Sequence, residues 1–313
     1  MAGVAEVTGA EEFEELRALL FSIAYRILGS VSEAEDVVQE AWLRYESSGT
    51  RAASPKAFLS TVVTRLSINE LRSARMRREQ YVGEWFPEPL LEDPYQDPER
   101  SAELAESVSI AVLLLMERLS PLERAVFVLR DVFGFGFAEI AAMIERSESA
   151  CRQLAVRARH HMDEGYPRFE ADRREHKRLA AHFFAALSDG DVGALRELLA
   201  ADVHVVSDSG GKAPNLPRTV VGADKSARLL VSAWPQLTQI GLTGEVREIN
   251  GQPGAVVRDG AGAVVNVIML DIADGLVQAV RAVTNPDKLA HLGPVADAWL
   301  TREAYLAAKR QQP

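Results

Sequence analysis

Four prolines, Pro87, Pro89, Pro94 and Pro98, fall within twelve residues of "WFPEPLLEDPYQDP". Each lacks a backbone N–H, and its ring clashes with the preceding helical turn, so no helix crosses this stretch. It reads as an extended linker, acidic and studded with apolar Trp85, Phe86, Leu90 and Leu91. The linker divides a chain of 313 residues, long enough for two or three domains with proper cores. What precedes it is helical in pattern. "EEFEELRALLFSIAYRILG" sets Phe13, Leu16, Leu20, Ile23, Ala24 and Ile27 on one face, with Gly29 as a stop. "SEAEDVVQEAWLRYES" starts with Ser32 as the expected N-cap, and "SPKAFLSTVVTRLSINELRSARMRR" places Pro55 just inside a helix after Ser54.

After the linker, helices are expected from Ser101 through "SAELAESVSIAVLLLMERLS" and again from Ser120–Pro121. "FAEIAAMIERSESACRQLAVRARHHM" has the proportions of a helix-turn-helix. From about residue 170 the texture changes. Two helices, "HKRLAAHFFAALSDG" and "DVGALRELLAA", precede the strand "DVHVVSD". The helix "GADKSARLLVSAW" then leads into four strand-like segments from Gly241 to Pro286, and the tail "DAWLTREAYLAAKRQQ" is helical. The implied fold class is two all-α domains followed by an α+β cone, a helix-covered sheet.

Charge is segregated. The net charge is −10, which by itself argues against a nucleic-acid partner. Yet residues 65 to 78 carry Arg65, Arg72, Arg75, Arg77 and Arg78 against Glu70 alone. The helix from 147 to 161 carries Arg152, Gln153, Arg157 and Arg159, side chains suited to base edges and phosphates, with Ser147 and Ser149 at its start. Trp42 and Phe58, which could stack on bases, fall in apolar patterns and read as core. The lone Cys151 excludes a disulfide framework and a cysteine-rich metal site. No basic-then-apolar leader and no spanning apolar run is present, so a cytoplasmic protein without membrane contact is expected.

"VVSDSGGKAPN" (205–215) has the glycines and lysine of a phosphate grip. A P-loop needs four residues between its glycines, however, and Pro214 has no N–H to offer. The nucleotide reading fails, and a flexible turn remains as the plain one.

The blocks "SEAEDVVQEAWLRY", "SPKAFLSTVVTRLSINELRSARMRR" and "LSPLERAVFVLRDVFGFGFAEIAAMIERSESACRQLAVRARHHM" resemble regions 2 and 4 of the extracytoplasmic-function sigma factors, across roughly residues 10 to 165. The resemblance implies that Asp36, Gln39 and Glu40 face the polymerase. It sets Arg65, Asn69, Arg72 and Arg75 near the −10 element, and Ser149, Arg152, Gln153, Arg157 and Arg159 at the −35 element. Partners would be RNA polymerase core, through its clamp helices and flap, and promoter DNA. Family members often carry Gly between the two region 4 helices, where this chain has Ser or Glu. The C-terminal half resembles SnoaL-like, NTF2-like domains. "WFPEP" (85–89), "DSGGK" (208–212) and "NPDKL" (285–289) are similar to three short motifs of a sigma-factor group with such an extension; only Ser209 departs, from Gly.

The resulting domains are 1–82 (region 2), 83–100 (linker), 101–166 (region 4) and 167–313 (SnoaL-like, with a helical tail). The group implies control in cis, without a separate anti-sigma factor. The expected regulatory residues are Trp85, Pro87, Glu88, Pro89, Asp208, Gly210, Gly211, Lys212, Asn285, Pro286, Asp287, Lys288 and Leu289. Lys212 and Lys288 are expected to meet Glu84 and Glu88, as specificity elements and not as anchors. No catalytic residue, metal or cofactor is expected, although a small-molecule ligand of the C-terminal domain stays open. His182 and His204, with Asp202, Asp208 and Asp271, are the candidates should that domain be an enzyme. The other alternative is a ligand-responsive helix-turn-helix regulator that acts without polymerase.

Overall fold

The computed structural model describes residues 9–48, 54–97, 99, 104, 106–163, 173–216 and 218–310. Pro98, the helix start expected at Ser101 and the domain boundary at 166 fall outside them. The chain forms two compact units: residues 1–79 with 93–166, and residues 80–92 with 167–313. The linker expected over 83–100 is therefore shared, its first part belonging to the C-terminal unit. Among the described residues no helix is long and apolar enough to cross a membrane.

The first unit begins with α1 (Gly9–Leu28), α2 (Val31–Ser47) and α3 (Pro55–Arg78). Of the stripe expected on α1, Phe13, Leu20, Ile23, Ala24 and Ile27 are buried and Leu16 is half-buried, and Gly29 ends the helix at φ 73°. The N-cap of α2 is Ser30, not Ser32: its Oγ accepts from Glu33 N, which puts Ser32 inside the first turn. Ser54 caps α3 as expected, with Pro55 behind it.

Among the described residues there follow α4 (Ile110–Met116), α5 (Pro121–Phe127), α6 (Phe137–Ile144) and α7 (Glu148–Asp163). Within the helical stretch expected from Ser101, Ser109 begins a separate helix by capping α4 through Val112 N. Ser120 and Glu123 form a reciprocal capping box for α5. A π-helical turn, Val128–Val132, continues from α5. Between α6 and α7 the left-handed residue is Glu145 (φ 54°). The turn is thus made just before the Ser and Glu that stand where Gly is common. Leu154, Ala155, Ala158, Cys151 and Met162 bury one face of α7.

Charged side chains run through this unit's interior. Arg26 of α1 is fully buried. It donates to Ser107 Oγ (2.7 Å), Leu104 O (2.8 Å) and Ser22 Oγ (2.5 Å), and pairs with Asp93 (2.6 Å). Glu117 is the second hub, pairing with Arg78 of α3 (2.5 Å) and with fully buried Arg124 of α5. Arg75 donates to the Glu117 carbonyl (3.1 Å) and to the Leu119 carbonyl. Burial would raise the Glu117 carboxyl, but Arg124 and Arg78 outweigh it and hold the group below its ordinary value.

The second unit contains α8 (Arg173–Asp189), α9 (Val192–Glu197), α10 (Ala223–Gln239) and α11 (Ala298–Arg310) over a six-stranded sheet. Its strands are β1 (Leu199–Asp208), β2 (Val220–Val221), β3 (Thr243–Ile249), β4 (Gln252–Arg258), β5 (Val264–Ala273) and β6 (Leu276–Val283), in the order β2-β1-β6-β5-β4-β3. All neighbours are antiparallel except β1 and β6. Asn-Gly at 250–251 and Asp-Gly at 274–275 turn two hairpins, with Asn250 and Asp274 both at φ 53°. Phe183, Leu187, Leu195, Val203, Val205, Ala255, Leu270 and Val280 form the core between helices and sheet. Two boundaries differ from expectation. Helix α9 stops at Glu197, because Leu199 and Ala200 already belong to the buried edge of β1. Helix α10 runs through Pro235 to Gln239, where Leu237 and Ile240 pack on Leu242, Val257 and Val265.

Glu117 gives a pH prediction for the first unit. Its folded pKa is depressed, so its contribution is present above the unfolded value, about 4.3, and is lost as pH falls through the lower folded value. Acid unfolding followed by far-ultraviolet dichroism should show this loss, and Glu117→Gln should flatten the dependence over that interval.

Candidate linker clasp and nucleic-acid faces

The second unit buries part of the linker. Phe86, Pro87, Glu88, Pro89 and Leu90 are all buried. Burying an extended strand leaves backbone groups that need partners, and Pro87 and Pro89 reduce the demand because neither has an N–H. The Phe86 N–H donates to Asp208 Oδ2 (2.7 Å). The Leu90 N–H donates to Asn250 Oδ1 (2.9 Å), while Asn250 N–H returns a bond to the Leu90 carbonyl (2.7 Å). The Pro89 carbonyl accepts from His291 Nε2 (2.7 Å). The Phe86 carbonyl accepts from Lys288 Nζ.

Asp208, at the end of β1 and fully buried, is the centre of this clasp. Its carboxylate also accepts from Tyr81 Oη, and from Lys288 Nζ at 2.7 Å. Lys288, only 6% exposed, lies 4.4 Å from the Trp85 ring centre and 4.8 Å from that of Tyr81. Burial and the bond to Asp208 push the Tyr81 phenol up, so it stays a neutral donor. Asn285 Nδ2 donates to Tyr81 Oη (2.8 Å), and its Oδ1 caps the short turn Pro286–Lys288 that aims Lys288 inward. Leu289 behind that turn is fully buried. Phe86 covers Arg281, 5.3 Å away, which pairs with Asp271 (2.7 Å).

The glycines of "DSGGK" have a steric reason. Gly210 and Gly211 sit at φ 56° and 72°. A Cβ on Gly210 would come within 2.5 Å of Asn285 Nδ2 and 2.9 Å of Tyr81 Oη, and one on Gly211 within 3.3 Å of Val82. The loop is bare so that residues 81–82 can approach it. Ser209 is not among the positive-φ residues, so its replacement of Gly brings no strain.

The two lysines correct the sequence expectation. Lys288 is buried and bonded to Asp208 and Phe86, an anchor where a specificity element was expected. Lys212 is exposed and pairs with Asp287. The expectation took both for surface charges, whereas burial strengthens one pair and leaves the other screened. Tyr81, Asn250 and His291 escaped the sequence reading altogether. Only Asn250 had a local signal, the Asn-Gly turn.

The five candidates for an enzyme site have different surroundings. Asp208 and Asp271 are committed to Lys288 and Arg281, while His182, Asp202 and His204 are exposed.

In the first unit, Asp36, Gln39 and Leu43 are exposed along one side of α2, with half-buried Glu40 paired to Arg44 (2.8 Å). On α7, Ser149, Arg152, Gln153, Arg157 and Arg159 are all exposed. Arg152 pairs with Glu148 (2.9 Å), Arg157 with Glu123 (2.8 Å) and Arg159 with Asp131 of the π turn (2.6 Å). The Phe137 ring lies 5.1 Å from Arg152 and 4.9 Å from Arg130. Val156, 64% exposed amid these cations, was missed in the sequence and suits contact with a thymine methyl.

The four residues assigned to the −10 element are split. Asn69 and Arg72 are exposed. Arg65 instead donates to the carbonyls of Met143 (2.7 Å) and Ala142 (3.0 Å) and pairs with Glu145 (2.9 Å). It satisfies the C-terminal end of α6, where cations suit the helix dipole. Arg75 is turned to the Glu117 and Leu119 carbonyls.

Removing one member of the clasp should release the linker. Lys288→Met leaves Asp208 buried without its cation, and breaking such a pair costs about 3–5 kcal/mol. Hydrogen exchange of residues 80–92 should rise sharply in this variant, whereas Lys212→Ala should leave it near wild type.

Residues 13–77 match Sigma-70 region 2, and residues 109–162 match Sigma-70, region 4. The Mycobacterium tuberculosis protein named ECF RNA polymerase sigma factor SigJ is 40% identical over 88% of this chain and 92% of its own. The probable ECF RNA polymerase sigma factor SigI of the same species is 31% identical over 87% of this chain and 92% of its own. A crystal structure of the M. tuberculosis extracytoplasmic function sigma factor SigJ superposes with a TM-score of 0.70 at 36% identity, covering 90% of this chain and 98% of that one. With both helical regions in order and relatives aligned over nearly their whole length, the chain belongs to the extracytoplasmic-function RNA polymerase sigma factors.

Proposed function

We propose that the protein directs RNA polymerase core to its promoters and that its C-terminal unit regulates this activity in cis. The observation that carries the reading is the pairing, in one unit, of an exposed α2 face bearing Asp36 and Gln39 with an exposed α7 face bearing Arg152, Gln153, Arg157 and Arg159. The first suits a protein partner, the clamp helices and flap of the polymerase being the expected ones, and the second suits duplex DNA. Asn69 and Arg72 are available to the −10 element. Arg65 and Arg75 join them once α3 parts from α6 and from the Glu117 segment, so the described arrangement is a closed form of the sigma unit.

Regulation in cis rests on the clasp. The linker between regions 2 and 4 is held by Asp208, Lys288 and Asn250 of the C-terminal unit, which thereby constrains how far the two regions can separate. On this reading the C-terminal unit is a binding module without catalysis, no separate anti-sigma factor is required, and the protein acts in the cytoplasm.

Run-off transcription with purified core enzyme and a genomic promoter pool tests both parts. Initiation should depend on the protein, and Arg152→Ala should reduce it roughly tenfold or more, the worth of one bidentate base contact. Lys288→Met should change output at the same promoters. Absence of initiation from every promoter removes the sigma reading, and unchanged output from Lys288→Met removes the regulatory one.

A further inference from the structure

Strand β3 ends the sheet, and among the described residues no strand pairs with its outer edge: residues 243–248 are all exposed, and Val246 is 56% exposed. Its register with β4 is unbroken from Thr243 to Ile249, so no bulge twists the edge away, and the strand contains no proline. Side chains alternate between its two faces. A Cβ on Gly244 would lie 3.2 Å from the Trp234 ring of α10, and Glu248 pairs with Lys177 of α8 at 3.4 Å. Gly244, Val246 and Glu248 are therefore on the helix side of the sheet. Glu245 and Arg247 share the other face, where they bond each other at 2.7 Å.

Charges on an edge strand ordinarily guard it against pairing. Here they alternate in sign around an apolar centre, Glu245-Val246-Arg247, a pattern complementary to itself when reversed. We propose that β3 pairs antiparallel with β3 of a second copy of this chain about a two-fold axis at Val246. In that register Val246 meets Val246 of the second copy, and Glu245 faces Arg247 of the second copy, with the reciprocal pair alongside. Gly244, without a side chain, faces Glu248 of the second copy. Like charges never come opposite each other, and the unpaired N–H and C=O groups of the edge gain partners. A single two-fold axis closes the assembly at two copies. An interface of one strand pair is small, so the dimer is weak and concentration-dependent.

Sedimentation velocity of the full chain, over a dilution series from micromolar to a few hundred micromolar, tests the pairing. Wild type should shift from monomer to dimer across the series. Arg247→Glu sets glutamates opposite each other and should weaken the dimer at least about tenfold, a change of about 1.4 kcal/mol. The double variant Glu245→Arg/Arg247→Glu restores opposite charges in the same register and should recover dimerisation. All these positions are exposed, and circular dichroism checks that each variant folds. A wild type that stays monomeric throughout, a dimer indifferent to Arg247→Glu, or a double variant no better than the single one overturns the proposal. None of these outcomes bears on transcription by the sigma unit.

Discussion

One buried carboxylate organises the C-terminal unit's hold on the linker. Asp208 receives the Lys288 ammonium, the Tyr81 hydroxyl and the Phe86 backbone N–H, three donors from two segments about 200 residues apart in the chain. A carboxylate without exposure is tolerable only when it is paired and its remaining lone pairs are occupied. Tyr81 and Phe86 both lie in the 80–92 segment, so the full set of donors exists only while that segment is in place. The neighbouring features follow from that requirement. Two glycines let residues 81–82 approach, Asn285 orients both Tyr81 and the turn carrying Lys288, and alternating prolines let the strand be buried with few orphan donors.

The first unit applies similar chemistry to a different end. Its helices are joined by arginines whose partners are carboxylates and backbone carbonyls: Arg26 with Asp93, Arg78 and Arg124 with Glu117, Arg65 with the end of α6. Such contacts are directional, and they run beside an apolar core that includes Leu20, Ile23, Leu59 and Leu71. The cations that hold the helices together are of the same kind as those expected to meet DNA, and Arg65 and Arg75 belong to both sets.

Most of the architecture is legible in the residues. Apolar spacing marks α1 to α3, Ser-Pro pairs mark the starts of α3 and α5, and Asn-Gly and Asp-Gly mark hairpins, because each signal acts within a few residues. The misses arise where a competing local partner or a distant one prevails. Ser30 takes the cap of α2 from Ser32, Ser109 begins a separate helix within an expected helical stretch, and packing of Leu237 and Ile240 carries α10 past Pro235.

The sequence by itself determined that the chain carries two helical DNA-binding regions, a proline-stiffened linker and an α+β domain. Periodicity, caps, prolines and charge blocks are local properties, and they survive without knowledge of the fold. The resemblance to sigma factors with such an extension singled out "WFPEP", "DSGGK" and "NPDKL" as a set. Only the tertiary structure decided what the set does locally. Lys212 and Lys288 look alike in sequence, each a lysine near an aspartate, yet one stays in water and the other is buried against Asp208, Trp85 and Tyr81. The difference is desolvation, which depends on what covers a residue from elsewhere in the chain, and no local pattern encodes that.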